Sequence, residues 1–161
     1  MTAWRRVMAQ LVEDRGRALK AYGYLLCGDD THAADLVQEA LLSVFARPRT
    51  GWEVGDAEAY VRRAMLNRYL DQQRRSARWR LLVPRLRPAA EVEDLAVGTV
   101  ARLDIVVALA SLSPRQRACV VMRFYEDQQV AEIAEQLGCS VGAVKRYLNE
   151  AMGRLRVRLD V

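Results

Sequence analysis

The chain has 161 residues, of which 52% are hydrophobic and 28% are charged, and its formal net charge is +5. This length and composition predict a globular protein of one domain or two small ones and exclude a disordered chain. The longest apolar runs span only a few residues, so we expect no membrane insertion and no secretory signal, and we place the chain in the cytoplasm.

The cysteines give little support for a metal site or a disulfide scaffold. Cys27, Cys119 and Cys139 are far apart in sequence and form no CxxC pair, and His32 is the only histidine. We therefore expect small buried or half-buried thiols, with a redox or metal sensor as the alternative, and we expect no cofactor.

Two segments concentrate the positive charge. Residues 62 to 80 contain seven arginines and one acid, Asp71, and residues 145 to 158 contain five basic residues and one acid, Glu150. Segregated basic segments are typical of proteins that bind a polyanion, most often a nucleic acid. Each segment alone fits a solvated helix face equally well.

The apolar spacing predicts an all-α fold. No alternating run of β-branched and aromatic residues is bounded by turn residues. One helix should begin at the cap candidates Asp29, Asp30 and Thr31 and end near Pro48. Its apolar side contains Leu36, Val37, Ala40, Leu41, Val44 and Phe45, and its open side shows Asp35, Gln38 and Glu39.

A loop and a long helix follow. Pro48, Gly51 and Gly55 mark residues 47 to 55 as the loop, and the helix should run from Asp56 to about Arg80. Its buried arc consists of Val61, Met65, Leu66, Tyr69 and Leu70, and its opposite face of Arg63, Asn67, Asp71, Arg74 and Arg78. Arg62 projects into the apolar arc and therefore needs a partner or a route to solvent.

The chain should divide into two small helical domains joined by a flexible linker. Pro84, Pro88 and the acidic stretch from Glu91 to Asp94 break the periodicity and reverse the sign of the charge. We assign residues 1–80 to the first domain, 81–102 to the linker and 103–161 to the second domain.

The second domain contains two strong local patterns. In "SPRQ", Ser113 can cap a helix, Pro114 fits its first turn and Gln116 completes a capping box. That helix should carry Cys119, Val120, Val121 and Phe124 inward.

The second pattern is a helix-turn-helix, "EIAEQLGCSVGAVKRYLNEA". The buried face of its first helix consists of Val130, Ile133, Ala134 and Leu137. Gly138 can end this helix in a left-handed conformation, and Ser140 can cap the next one. The second helix should bury Val141, Val144, Leu148, Met152 and Leu155.

The open face of the second helix carries Gly142, Ala143, Lys145, Arg146 and Asn149. Small residues let a backbone approach DNA, and the Lys, Arg and Asn donors suit base edges in the major groove. An ordinary αα-hairpin with a solvated polar face is the alternative.

Three stretches together resemble the extracytoplasmic-function sigma factors of bacterial RNA polymerase, particularly the short actinobacterial sigma-E type. They are "DDTHAADLVQEALLSVF", "DAEAYVRRAMLNRYLDQQRR" and the sequence from "LASLSPRQRACVVMRFYEDQQVAEIAEQLGCSV" to "GRLR". The resemblance covers roughly residues 10 to 80 and 103 to 158. It implies a non-enzymatic specificity subunit whose first domain binds core polymerase and melts the promoter, while the second reads the minus-thirty-five element.

The resemblance also implies roles for individual residues. Asp35, Leu36, Gln38 and Glu39 would face the clamp helices of the largest polymerase subunit, and the second domain would meet the beta flap. Binding of the minus-ten element is implied for the loop and the long helix, at Trp52, Arg62, Arg63, Asn67, Arg74, Arg75 and Arg78. Trp52 would either stack on a base or, as loop tryptophans more often do, pack against the protein.

For the minus-thirty-five element the resemblance implies contacts from Arg115, Arg117, Ser140, Gly142, Lys145, Arg146 and Asn149. The linker would thread toward the active-site and RNA-exit channels, and an anti-sigma factor would hold the protein inactive. We expect no C-terminal extension for self-control, because the chain ends at Val161.

Departures from the family pattern limit which properties of the family can be expected of this chain. Ala143 and Arg146 stand where many relatives have Thr and Ser, so the preferred promoter sequence cannot be taken from them. "DQQ" at residues 127 to 129 replaces a more usual entry to the next helix, which puts the start of that helix in doubt.

Two other classes of function compete with this one. A stand-alone helix-turn-helix regulator would bind two-fold related half-sites as a dimer, but it gives no role to "DLVQEAL" or to the arginine-rich helix. An enzyme is weakly supported, because no acid-base, nucleophile, metal or phosphate-loop constellation is recognisable.

Overall fold

The structure is a computed structural model that describes residues 2–82 and 100–159, with the side chains of residues 100–103 left aside. The described residues are helices and their connections, without a strand, which confirms the all-α prediction. Of the predicted flexible linker, residues 81–102, the residues 83–99 lie outside the described part of the chain, and the last three belong to the first helix of the C-terminal domain. The first two residues of the linker, Leu81 and Leu82, continue the long helix.

Three helices form the N-terminal domain: α1 (Ala3–Cys27), α2 (Asp30–Phe45) and α3 (Val54–Leu82). Gly28 ends α1 with φ 75°, and its N–H donates to the carbonyl oxygen of Tyr24. Asp29 then caps α2, because its carboxylate accepts a hydrogen bond of 2.8 Å from the Thr31 N–H. The αL glycine followed by a cap reverses the chain within three residues.

The helices meet on the predicted apolar faces. All five residues of the predicted buried arc of α3 are buried: Val61, Met65, Leu66, Tyr69 and Leu70. On α2, Leu36 and Ala40 are buried, and the rest of the predicted apolar side is half-buried. From α1 the largest fully buried side chains are Leu11, Leu19, Tyr22 and Leu26. This core fixes the outward faces of α2 and α3.

The C-terminal domain contains α4 (Val100–Ala110), α5 (Pro114–Val120), α6 (Val130–Leu137) and α7 (Val141–Leu159). The predicted capping box at the start of α5 is confirmed. The Ser113 hydroxyl accepts from the Gln116 N–H at 3.2 Å, and the Gln116 side chain accepts from the Ser113 N–H at 3.1 Å. At the doubtful start of α6, the Glu132 carboxylate accepts a hydrogen bond of 2.9 Å from the Gln129 N–H.

A π-helical turn, Val121–Tyr125, follows α5 directly and changes the register of the buried face. The Glu126 N–H donates to the carbonyl of Val121, five residues earlier, at 3.2 Å. The wider turn rotates the next residues away from α-helical spacing. The prediction that Phe124 points inward is therefore wrong: Phe124 is 64% exposed, while Met122 is fully buried.

The helix-turn-helix is confirmed. Gly138 ends α6 with φ 64°, and the Cys139 N–H donates to the Ala134 carbonyl at 3.0 Å. The Ser140 hydroxyl then accepts from the Ala143 N–H at 3.0 Å and caps α7. Val141 was predicted to be buried and is exposed instead, because it is the first residue of α7 and the buried stripe starts at Val144.

The two domains pack against each other. Buried residues of α1, α2 and α3 belong to the same apolar cluster as those of α5, α6 and α7. Leu25, near the end of α1, also packs against a smaller cluster that includes Leu109, Leu112 and Val120. The contact between the domains is therefore made partly of core side chains.

Candidate functional site

The outward face of α2 presents a compact group of polar side chains. Asp35, Gln38 and Glu39 are exposed, and the Glu39 carboxylate accepts a 3.0 Å hydrogen bond from Nη1 of Arg68. Leu36 lies on the opposite side and is 1% exposed. Its predicted contact with a partner protein is therefore corrected: Leu36 belongs to the domain core.

Sequence reasoning missed Leu42 on this face. It is 65% exposed although it is a large apolar residue. It lies seven residues after Asp35 and four after Gln38, so the three side chains share one helix face. This spacing in the sequence was the signal that could have identified Leu42 as part of the face. An exposed leucine among polar side chains gives this face a mixed apolar and polar composition, as protein interfaces also have.

The basic side of α3 is a row of solvent-facing side chains. Arg63, Asn67, Arg74, Arg75 and Arg78 are all exposed. Asp71 and Arg74 form an ion pair of 3.3 Å in which both side chains are more than half exposed. Because such pairs contribute little to stability, these residues are free to contact a ligand.

Trp52 packs within an aromatic cluster. Its ring lies 5.2 Å from that of Trp4 and stacks on Tyr60 at 4.4 Å, and the Arg49 guanidinium lies 4.6 Å above it. Trp4 contacts Phe45 and donates from Nε1 to the Phe45 carbonyl. Of the two predicted uses of Trp52, the structure shows packing.

The helix-turn-helix presents the predicted open face on α7. Gly142, Lys145, Arg146 and Asn149 are exposed at helical spacings of three and four residues. A Cβ atom at Gly142 would lie 3.9 Å from the Ser140 hydroxyl, with no closer contact. Internal packing therefore does not require glycine at this position. Ser140, also exposed, is occupied in capping α7.

Two arginines predicted to contact DNA lie between the domains instead. Arg62 on α3 donates to Glu58 from Nε and Nη2, and to Glu126 of the second domain from Nη1 at 3.0 Å. Arg117 on α5 is 7% exposed and donates from Nε to the Leu25 carbonyl at 2.7 Å. In this arrangement neither guanidinium is available to DNA, whereas Arg115 is half-exposed.

The electrostatics of the two interface arginines differ. Burial acts to lower the pKa of Arg62, but the hydrogen bonds and charges of Glu126 and Glu58 outweigh it, so the pKa is raised. For Arg117 burial dominates and lowers the pKa. Among the described residues, Arg62 therefore has carboxylate partners that compensate its burial, and Arg117 has no such partner.

The groups around Arg117 are also perturbed. Burial raises the pKa of the Cys27 thiol to about 11 and that of Tyr69 to about 12, although the positive charge of Arg117 acts in the opposite direction at both.

The partner of Arg62 could not be identified from the sequence. The sequence predicted that Arg62 needs a partner, but no local pattern connects it with Glu126, 64 positions away.

Other kinds of site find no support in the described part of the chain. Between residues 2 and 82 and between 100 and 159, no group of three or more His, Cys, Asp or Glu side chains is placed to hold a metal ion. Among the described helices, none combines the length and the apolar character needed to cross a membrane. Cys27, Cys119 and Cys139 are free thiols, half-buried or buried.

Each of the two domains matches a known protein family. Residues 11–80 match the family described as Sigma-70 region 2, and residues 102–155 match Sigma-70, region 4. The chain is 35% identical to the RNA polymerase sigma-E factor of Streptomyces antibioticus, over 94% of this chain and 83% of that protein. It is 34% identical to the ECF RNA polymerase sigma factor SigL of Mycobacterium tuberculosis, over 96% and 89%.

The fold has matches among solved structures. One is the sigma factor RpoE in complex with the anti-sigma factor NepR from Bartonella quintana, with a TM-score of 0.73 and 24% identity over 95% of this chain and 96% of that one. Another is CnrH in complex with the cytosolic domain of CnrY, with a TM-score of 0.61 and 25% identity over 97% and 89%.

Proposed function

Because this chain belongs to the extracytoplasmic-function family of RNA polymerase sigma factors, we propose that it directs core polymerase to promoters through three separate surfaces. The observation that carries the proposal is the open face of α7, where Lys145, Arg146 and Asn149 project from a capped helix-turn-helix. Sigma factors are subunits for transcription initiation rather than enzymes, and we infer the same role here.

The surface for core polymerase is the outward face of α2. Asp35, Gln38, Glu39 and Leu42 combine carboxylate and amide groups with one exposed leucine. This composition suits a contact with the clamp helices, in which an apolar anchor is surrounded by polar pairs. The face is supported from behind by Leu36 and Ala40, which are buried in the apolar core.

The surface for the minus-ten element is the row on α3. Arg63, Arg74, Arg75 and Arg78 supply positive charge along one helix, and Asn67 lies among them. Exposed guanidinium groups at this spacing suit the phosphates of a displaced strand. Phosphate contacts of this kind position the strand and add affinity without reading its sequence.

The surface for the minus-thirty-five element is α7. Lys145, Arg146 and Asn149 supply donors for base edges, and Gly142 leaves space for a backbone to approach. Arg115, at the start of α5, is placed at the edge of the same domain and would contact phosphate. Ser140 acts by capping α7, which fixes the direction of the helix in the groove.

We also infer control by an anti-sigma factor. CnrH, which shares the fold at 25% identity, is solved in complex with the cytosolic domain of CnrY. An inhibitor that covers the α2 face would prevent association with polymerase without altering the DNA-reading helix. The chemistry expected of it is a helix with basic and apolar residues that complement Asp35, Glu39 and Leu42.

The test is capture of purified bacterial core polymerase by this protein, followed by run-off transcription on a promoter library. Stoichiometric capture with selective initiation is the expected result. Failure to capture polymerase, together with tight sequence-specific binding to two-fold related sites by the protein alone, would contradict the proposal and favour a stand-alone regulator.

A further inference from the structure

A series of polar contacts connects the interior of the C-terminal domain with its open face. It begins at Gln116, which is 5% exposed and whose side-chain oxygen accepts from the Ser113 N–H in the capping box of α5. The nitrogen of the same amide, Nε2, donates to Oε2 of Glu150 on α7 at 3.0 Å. Because both ends of the buried amide are bonded, the Glu150 carboxylate is held by a side chain that is itself fixed.

The second oxygen of this carboxylate faces Arg146. Oε1 of Glu150 lies 3.9 Å from Nε of Arg146, one turn earlier on α7, which is an ion-pair distance rather than a hydrogen bond. The Arg146 guanidinium also lies 5.4 Å from the centre of the Tyr147 ring, and Tyr147 packs against the apolar cluster shared by the two domains. Arg146 is therefore in contact with two groups that are anchored in the domain, although its own side chain is 64% exposed.

Stability does not account for this ion pair. The Glu150 side chain is 50% exposed, and exposed pairs contribute little to the free energy of unfolding. A carboxylate beside a DNA-reading face also repels phosphate, and so weakens general attraction to DNA. The pair therefore lowers DNA affinity and adds little stability, which points to a role in how Arg146 meets its ligand.

We propose that Glu150, fixed by Gln116, is a positioning residue that directs Arg146 to a guanine in the minus-thirty-five element. With Nε of Arg146 facing Glu150, Nη1 and Nη2 remain for DNA, and a guanidinium can donate two parallel hydrogen bonds to N7 and O6 of guanine. The proposal rests on the proposed function, because it takes α7 to be the helix that enters the major groove.

The charge of Glu150 distinguishes guanine from the competing ligand, a backbone phosphate. A phosphate can also accept two hydrogen bonds from an arginine. It is negatively charged, however, and is repelled by a carboxylate one helical turn from Arg146, whereas a base edge is neutral. Docking on DNA removes water from this face and strengthens the repulsion. Glu150 thus lowers the affinity of Arg146 for phosphate more than its affinity for guanine, and this difference increases specificity.

The experiment uses core polymerase reconstituted with the full chain, and a promoter library whose minus-thirty-five element is randomised and identified by a barcode in the transcript. Arg146→Ala identifies the base pair that Arg146 reads. Glu150→Ala removes the carboxylate, and Glu150→Gln keeps an acceptor for Gln116 but removes the charge. Glu135→Ala and Glu135→Gln, at an exposed position of α6, are the matched controls for the change of charge. Circular dichroism during heating checks that each variant is folded.

The wild type should prefer guanine at one base pair of the element, and Arg146→Ala should lose that preference. Both Glu150 variants should reduce the preference at the same base pair about tenfold, within the range of one good bidentate contact, and keep the others. Compared with the Glu135 variants, they should also transcribe more from templates that lack the guanine, because Arg146 becomes free to bind phosphate. The Glu135 variants should keep the wild-type preference.

The inference fails if Glu150 has no influence on the base that Arg146 reads. An unchanged guanine preference in Glu150→Gln, where Arg146→Ala loses it, would overturn the positioning role. Loss of no guanine preference in Arg146→Ala would overturn the choice of ligand, and equal loss at every base pair in the Glu150 variants would show a structural effect instead. In these cases the wild type still initiates selectively, whereas absence of selective initiation by the wild type would contradict the proposed function itself.

Discussion

The arginines of this chain occupy two regions with opposite surroundings. On the outer side of α3, Arg63, Arg74 and Arg78 lie in solvent, and the ion pair of Arg74 with Asp71 is open to water. Between the domains, Arg62 and Arg117 are largely buried and tied to Glu126 and to the Leu25 carbonyl. Adjacent residues, Arg62 and Arg63, therefore belong to different regions. The outer row is open to solvent, whereas the interface pair is occupied by contacts between the domains.

The largest expected effect comes from removing the outer row. Replacing Arg63, Arg74 and Arg78 with Ala should reduce initiation by reconstituted polymerase on the order of a hundredfold, because each lost hydrogen bond contributes about 1 kcal/mol and the three together about 3 kcal/mol. The free energy of unfolding should change little. Run-off transcription and urea denaturation measure the two quantities.

The matched control for the outer row is replacement of Arg5, Arg6 and Arg17, which are exposed on α1, with Ala. It removes the same charge from the same domain. Equal loss of initiation in both triple variants would show that total charge, rather than the row on α3, supports DNA binding.

The second prediction concerns alkaline pH at the interface. The pKa of Cys27 is raised from 9.0 to about 11 by burial, so the folded state holds this proton more tightly than the unfolded state. Its contribution to stability is complete below pH 9 and is lost as the pH rises toward 11. The loss should be about 2 kcal/mol. Urea denaturation at pH 8 and pH 10.5 measures it.

Cys27→Ala provides the comparison for this pH dependence. The variant should lose less stability between the two pH values than the wild type, because one of the groups that titrate there is gone. The same pH dependence in both proteins would contradict the burial of the Cys27 thiol beside Arg117.

The third prediction separates the α2 face from both arginine regions. Glu39→Lys should weaken capture of core polymerase by about tenfold, the size expected for charge reversal at an interface, and leave duplex binding by the free chain nearly unchanged. Co-purification at a series of polymerase concentrations measures the change. Glu13→Lys, exposed on α1, is the matched control, and equal weakening in both would place the polymerase contact elsewhere.

The smallest effect is expected at the exposed ion pair. Asp71→Ala should change the free energy of unfolding by less than about 0.5 kcal/mol, because both Asp71 and Arg74 are well solvated. A loss above about 1 kcal/mol in urea denaturation would mean that the outer row is structurally coupled to the core, and the contrast between the two regions would fail.

The sequence predicted the faces of individual helices well, because burial within one helix follows a period of 3.6 residues. The buried arc of α3, the capping box at Ser113 and the αL glycine at position 138 are local patterns of this kind. Predictions from the sequence were less accurate where the helical register changes. Because of the π-helical turn, Phe124 is exposed although it was predicted to be buried, and no residue in "VVMRFYED" predicts such a turn.

Contacts between the domains could not be predicted from local sequence patterns. Arg117 looks like an outward arginine in the sequence and is buried only because α1 ends against it. Arg62 was expected to need a partner, but Glu126 is supplied by the other domain. The exposed faces of α2, α3 and α7 were predictable from spacing. Which arginines are exposed and which lie in the domain interface depends on the packing of the two domains.

The most direct test of the function proposed for this sigma factor is run-off transcription by core polymerase reconstituted with the wild type and with Lys145→Ala/Arg146→Ala, on promoters selected from the library. We predict that the variant is captured by polymerase as well as the wild type and that its promoter-specific transcript is lost. Undiminished transcription from the same promoters would contradict the assignment of α7 as the helix that reads the minus-thirty-five element.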